Sequence, residues 1–382
     1  MLTRARYGVT ATFGLAGALA AVWTVRVPAL ADKLHLDPGQ LGITVLAWGL
    51  GALAIMQFAG RLLTRFGSRG VLRVVGPATA ATLALIGLAS SYLLLLAAAV
   101  VFGMAFAVLD IAMNAQAAQV ERAYGRPLMS GMHAGWSIGA VAGGLLGAAT
   151  AYAGWSFTRA VVVFAVVGVP IAAALTVTYL ADPPQPADTA RRRERLPRVV
   201  YLLGAVAFAA FMIEGSVADW SGLYLRDTLH ATEGTAALAY PLFEAAMIVG
   251  RLNGDRVRAV IGDRRLLIVG GLGTAATCAL VVAAPRPGFA LAAFVLVGLA
   301  VCTIIPVSFS LAGRLGPEAI ARTNGLGYLG LLLGPTVIGP LADATSLRSG
   351  FTVGVVVAVA LTLTARALPA GDAYPVAVRV ER

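Results

Sequence analysis

Charged residues are scarce in this sequence. Asp, Glu, Lys and Arg make up 12% of 382 residues while 59% are hydrophobic, and no soluble core can absorb that much apolar sequence. Cysteine is scarcer still. Cys278 and Cys302 both fall within apolar stretches and lack metal-like spacing, which argues against a disulfide framework or a cysteine metal centre and leaves them as apolar filler. No P-loop pattern or soluble nucleotide-binding segment occurs, so direct drive by ATP is not expected, and no cofactor or metal is implied.

What is present is a repeating unit of about twenty apolar residues, the length that crosses a hydrocarbon core about 30 Å thick. Twelve such spans are read at 7–30, 41–60, 72–91, 95–120, 130–152, 160–181, 199–222, 236–254, 266–284, 289–312, 322–343 and 350–368. The expected fold class is therefore an all-α polytopic membrane protein with twelve transmembrane helices. Twelve spans put both termini on one side. With that side cytoplasmic, 23 of the 29 basic residues fall in inside segments, and only Arg26, Lys33, Arg159, Arg226, Arg286 and Arg348 lie outside. That bias is the positive-inside rule in the register of twelve spans, so the net charge of +11 needs no nucleic-acid partner. The first span resembles a signal peptide in ending at Ala29-Leu30-Ala31, but it is long for one, and its removal would break the charge parity; it is expected to remain.

One long polar segment, 182–198, divides the spans six and six. The expected organisation is an N-terminal six-helix bundle over 1–181, a cytoplasmic linker over 182–198, a C-terminal six-helix bundle over 199–368 and a cytoplasmic tail over 369–382. Gly60-Arg61 and Gly250-Arg251 lie 190 residues apart, and Gly139 and Gly143 lie 191 residues before Gly330 and Gly334. Two markers at nearly one offset point to a duplicated, pseudo-symmetric unit.

These features resemble the major facilitator superfamily over essentially the whole chain. In the loop after the second span, Gly60, Leu62, Arg65, Gly67 and Arg69 match the family pattern, whereas Thr64 stands where that family usually has Asp. The C-terminal counterpart keeps an acid in Gly254-Asp255-Arg256. The resemblance implies that Gly60, Arg61, Arg65, Arg69, Gly250, Arg251, Asp255 and Arg256 govern switching between inward-open and outward-open states; the plainer reading is topology alone.

Charges within hydrocarbon cost upward of about 2.5 kcal/mol each, so those that occur face a cavity or one another. Asp110 and Asn114 lie one helical turn apart on a common face, with Gln116 nearby, as a carboxylate beside hydrogen-bonding amides. His133 opens a helix in which Gly135, Gly139, Gly143 and Gly147 recur every fourth residue, a stripe that lets another helix approach closely. Glu214, Asp219 and Trp220 in EGSVADWSG combine acids with an aromatic platform suited to a sugar or an organic cation. Glu244, Asn324, Tyr328 and Trp23 are further cavity candidates, and Pro306 is expected to bend its helix.

DIAMNAQ, the Gly-rich fifth span and EGSVADWSGLYL resemble the fucose-permease-like branch of that superfamily, in which an acid of the fourth helix matches Asp110. The resemblance implies proton-coupled movement of a small polar organic solute, such as a sugar, by alternating access across the cytoplasmic membrane. Asp110, Glu214 and His133 are then the proton-coupling residues, and Asn114, Gln116, Asp219, Trp220, Glu244, Tyr328, Asn324 and Trp23 line the solute site. The partners implied are solute, protons and the lipid bilayer, with the protein as a monomer. The rivals are a proton-antiport exporter, a membrane enzyme and a non-transporting sensor.

Overall fold

A computed structural model of the chain describes residues 1–182, 196–236 and 238–369. Most of the expected linker and nearly all of the expected tail lie outside the described residues. The described residues form helices and no strand: α1 Leu2–Thr24, α2 Val27–Leu34, α3 Pro38–Leu88, α4 Tyr92–Tyr124, α5 Met129–Tyr152, α6 Phe157–Leu175, α7 Arg198–Leu223, α8 Glu233–Ala236, α9 Ala239–Ile261, α10 Asp263–Val282, α11 Pro287–Val301, α12 Ile304–Leu315, α13 Pro317–Ala344 and α14 Leu347–Arg366.

Among the described residues, ten helical segments are long and apolar enough to cross a membrane. Two local features restore the count of twelve. Helix α3 is two crossings joined at Gly67, whose φ of +70° and ψ of 161° break the helix. Helix α9, the expected span 236–254, crosses although its sequence carries Glu244, Arg251, Asp255, Arg256 and Arg258, charges that lower its mean hydropathy. The tenth expected span is not one continuous helix: α11 ends at Val301 and α12 begins at Ile304. Pro306 is the cause, since it has no N–H for the carbonyl of Cys302 four residues back.

The chain forms two compact units. The first comprises 1–125, 135–196 and 316–321, with α3 packed on α4 and α6, and α1 on the same two helices. The second comprises 126–134, 197–315 and 322–382, with α10 packed on α11 and α14, and α7 on α12 and α14. The first turn of α5 thus belongs to the second unit and that of α13 to the first.

Helices α3, α4, α6 and α14 each begin with a side-chain cap. Asp37 and Gln40 form a reciprocal capping box at α3 (2.8 and 3.1 Å), and Ser91, Ser156 and Ser346 accept the third-residue amides of α4, α6 and α14. Each of these helices starts three residues before the span read from hydropathy, because the cap and first turn are too polar to count as apolar.

The glycine stripe of α5 lies against the backbone of α1. A methyl group added at Gly139 would collide with the Gly14 carbonyl, and one at Gly135 would sit 2.6 Å from the Thr10 carbonyl oxygen. In the second unit Gly330 and Gly334 meet the carbonyls of Phe208 and Met212 in the same way. The duplicated glycines therefore do one physical job twice: they bring two backbones close enough for dispersion to hold them where no hydrophobic effect operates. Gly60 lies against Glu318 and Ala321 in the first turn of α13, and Gly254 lies against Thr303 and Ser130, the latter in the first turn of α5. Ser130 and Ala321 are themselves 191 residues apart, the offset of the glycine pairs.

Gly139→Ala is expected to lower the melting temperature of the purified protein or abolish its monodisperse folded form, by about 1–3 kcal/mol of overpacking. Gly144→Ala, where the nearest atom is Val25 Cγ2 at 3.5 Å, serves as the neutral control. Equal melting of the two variants would refute the close approach.

Candidate functional site

The second unit holds a buried arginine in the middle of α9. Arg251 is 3% exposed, and its Nη2 pairs with Glu214 Oε1 of α7 at 3.1 Å. Its Nε donates to the carbonyl oxygen of Cys302 at 3.2 Å. That carbonyl is the one Pro306 leaves without an amide, so the break between α11 and α12 creates the acceptor that Arg251 fills. Gly250 makes the approach possible, because a side chain there would strike Cys302 Sγ. One side chain thereby joins three segments of the unit. Removing either partner of such a buried pair costs about 3–5 kcal/mol, since the other charge is left uncompensated.

Around this pair stand other groups read from the sequence. Tyr240 donates to Glu244 Oε1 at 2.9 Å along α9, and the Glu244 carboxylate is near enough to Glu214 for the two charges to repel. His133, on the first turn of α5, stacks on Phe309 with ring centroids 6.0 Å apart and also feels the charge of Arg251. Phe211, one turn before Glu214, meets both Phe309 and Tyr328. Glu214, Glu244, His133 and Tyr328 are thus brought into one neighbourhood, and Asn324 is buried one turn before Tyr328 on α13. Asp219 is exposed; Trp220 packs its ring against Gly339 of α13.

One turn beyond Arg251, Asp255 accepts the backbone amides of Ser130 (3.0 Å) and Gly131 (2.8 Å), which open α5. A carboxylate on the free amides of a helix N-terminus satisfies orphan donors and complements the dipole. Arg256, its neighbour in sequence, is exposed and reaches only Asn253 at 3.4 Å. The buried arginine here is Arg258, 2% exposed, which pairs with Asp263 at 2.6 Å and donates to Ser310 Oγ at 2.7 Å. Arg314 closes the cluster on the other oxygen of Asp263 at 3.2 Å. Sequence reasoning missed Arg258 and Asp263; their five-residue spacing across Gly262, at φ +81°, was the available signal.

In the first unit Asp110 is 8% exposed on α4, and Asn114 Nδ2 donates to its carboxylate at 3.1 Å and to its carbonyl at 2.9 Å. Phe106, one turn earlier on the same face, meets Trp48 and Trp136 at 6.2 and 5.7 Å between ring centroids. Those two tryptophans, from α3 and α5, were not singled out in the sequence. Gln116 does not join Asp110: it lies two residues from Asn114, on the opposite face, and its amide bridges Ser68 Oγ (2.9 Å) and the backbone N–H of Leu180 (3.0 Å). Trp23 is buried near the end of α1.

The turn at Gly67 holds an acid from a distant part of the chain. Asp182, the first residue of the expected linker, accepts the amides of Ser68 (2.7 Å) and Arg69 (2.9 Å) and the Ser68 hydroxyl (2.7 Å). Gly67 is required there twice over, by its positive φ and because a side chain would strike Asp182. Arg61 and Arg65 are exposed and lie over Phe58 and Phe66. No cluster of three metal-ligating side chains occurs among the described residues.

Comparison with known proteins fits this geometry. The sequence model of the Major Facilitator Superfamily matches residues 8–260 and 202–379. An uncharacterized transporter, y4wD, of Sinorhizobium fredii is 35% identical over 356 residues, covering 90% of this chain and 93% of that one. An uncharacterized MFS-type transporter of Yersinia pestis is 32% identical over 360 residues, covering 93% of each. Membrane protein MosC of Rhizobium meliloti is 31% identical over 365 residues, covering 91% of this chain and 87% of its own. Among solved structures, the E. coli fucose:proton symporter FucP superposes with a TM-score of 0.79 at 16% identity over 96% of this chain and 98% of its own. The human organic anion transporter MFSD10 gives 0.78 at 14% over 95% and 99%. At these identities the structural likeness establishes the fold, twelve helices in two six-helix bundles. Family match and relatives together place this multi-pass membrane protein as a transporter, not an enzyme: the chain belongs to the Major Facilitator Superfamily.

Proposed function

We propose that this chain moves a small polar organic solute across the cytoplasmic membrane by alternating access coupled to protons, with both termini cytoplasmic. The observation that carries the reading is the buried Glu214–Arg251 pair. A carboxylate that takes up a proton changes the charge of the site by one and weakens its pairing with Arg251, which also donates to the carbonyl of Cys302. The site therefore has two electrostatic states of its own. Glu244 places a second carboxylate near the pair. Phe211 and Tyr328 supply apolar and hydroxyl surface for a solute, while Asp110 with Asn114 supplies a second protonatable site in the first unit. The fold shared with FucP, itself a fucose:proton symporter, agrees with a sugar-like solute.

Protonation is read out through Arg251, which lies one turn from Asp255 on the same helix. In this reading the grip of Asp255 on the amides of α5 is the latch that holds one state, and Asp182 plays the corresponding part beside Gly67 in the first unit.

In proteoliposomes with a lightly buffered interior, wild type is expected to admit protons with an added sugar, and Glu214→Gln and Asp110→Asn are expected to fall to the rate of protein-free vesicles. Undiminished proton-coupled flux in both variants would sink the mechanism, and proton movement against the solute gradient would turn the reading to export.

The latch is tested separately. Asp255→Asn removes a charge-assisted cap worth about 1 kcal/mol, so in a background lacking the two native cysteines a probe at Ser130→Cys should label with a maleimide about fivefold faster. An unchanged rate would mean that Asp255 does not hold this helix end closed.

A further inference from the structure

A cleft in the first unit lies apart from every group used above. It has a volume of about 300 Å³ and sits where α1 ends and α2 begins, beside the turn from α5 to α6. Arg26, Lys33, Asp32, Trp155, Ser156 and Phe157 are on its wall.

Arg26 is 5% exposed and has no carboxylate partner among the described residues. Its Nη1 donates to Thr150 Oγ1 at 3.2 Å and its Nη2 to the Trp155 carbonyl at 2.7 Å, both neutral acceptors. Its Nε is buried without any acceptor. A guanidinium withdrawn from water with one N–H unmet and no counter-charge is an unfinished site, because burial of an unpaired charge is strongly unfavourable. Lys33 is in a similar position. One of its N–H groups goes to the Gly87 carbonyl at 2.8 Å, leaving two, and its ammonium lies 6.0 Å from the centre of the Phe157 ring. Burial lowers its pKa, with no carboxylate offsetting the shift. Arg159 stacks on Trp155 at 4.4 Å and adds a third positive charge. The one acid on the wall, Asp32, is exposed. Ser156 caps α6, so first-turn amides of a 19-residue helix also face this region.

The opposite arrangement exists in the second unit. Arg348 gives its two terminal nitrogens to the carbonyls of Val282 and Ala284 and lies over the Tyr224 ring, with no orphaned Nε. That arginine is a helix cap. Arg26 is a cap with a donor to spare, and it lines a cleft.

We propose that this cleft binds a phosphate-bearing anion, with Arg26 Nε and Lys33 Nζ on the phosphate oxygens and Trp155 and Phe157 against the attached ester chain. A tetrahedral oxyanion accepts from several donors at once, Arg26 and Lys33 both line this cleft, and aromatic walls suit an amphiphile. The cleft opens where a spanning helix ends, the depth of lipid headgroups and of interfacial tryptophan. A lipid headgroup and a soluble phosphate share this chemistry, and the experiment separates them.

The full-length protein, delipidated in neutral detergent, is titrated with phosphatidylglycerol, phosphatidylcholine and inorganic phosphate, with binding read by native mass spectrometry for lipids and by equilibrium dialysis for phosphate. Phosphatidylglycerol is expected to bind wild type in preference to phosphatidylcholine and to weaken about tenfold in Lys33→Gln and Arg26→Gln, the loss of one charge-assisted hydrogen bond. It should tighten in Asp32→Asn and stay unchanged in Arg348→Gln. Lys33 is only half-buried and Asp32 is exposed, so these variants keep the test valid if Arg26→Gln fails to fold. Inorganic phosphate binding with the same dependence on the variants, and no preference for the lipid, would assign the site to a soluble phosphate. Binding of either anion that ignores Lys33→Gln and Asp32→Asn, or no binding of either, would overturn the proposal.

Discussion

Arg251 is the side chain on which the second unit is organised. In hydrocarbon there is no water to complete a hydrogen bond, so a guanidinium must find protein acceptors and an open carbonyl must find a protein donor. Here the two needs cancel. Pro306 opens the carbonyl of Cys302, Gly250 removes the side chain that would keep α9 at a distance, and Arg251 enters and also takes Glu214 from α7. The break between α11 and α12, the glycine and the charge are one feature with three sequence signatures.

The same economy explains how the helix ends are managed. Asp182 and Asp255 each place a carboxylate on the first amides of a helix that begins after a tight approach of backbones, one through Gly67 and the other beside Gly131 and Gly254. The two acids come from different places in the chain. Asp255 sits on the helix expected to carry it, and Asp182 arrives from the end of the sixth span to serve a loop whose own acid is missing.

Much of this was legible before any coordinates. The spans, the kinship of the Gly139/Gly143 and Gly330/Gly334 pairs and the placing of Asp110 and Glu214 inside the helical units follow from hydropathy and from the rarity of charge within apolar sequence. The shortfalls have physical causes. Helices α3, α4, α6 and α14 each start three residues early because a capped first turn is polar. Arg251 was read as a loop residue because an arginine at the edge of an apolar run looks like an end, and its partner across the fold is silent in sequence. Gln116 was grouped with Asn114 by proximity along the chain, although two residues on a helix face opposite ways.

Pro306 and Arg251 also constrain the order in which this protein can change. If Arg251 is replaced first, Cys302 keeps an open carbonyl and Glu214 a lone charge, two defects at once. If Pro306 is replaced first, the new residue brings its own amide to Cys302, and Arg251 still holds Glu214. Descent away from this arrangement is therefore directional: the proline can be lost before the arginine, but the arginine cannot be lost before the proline.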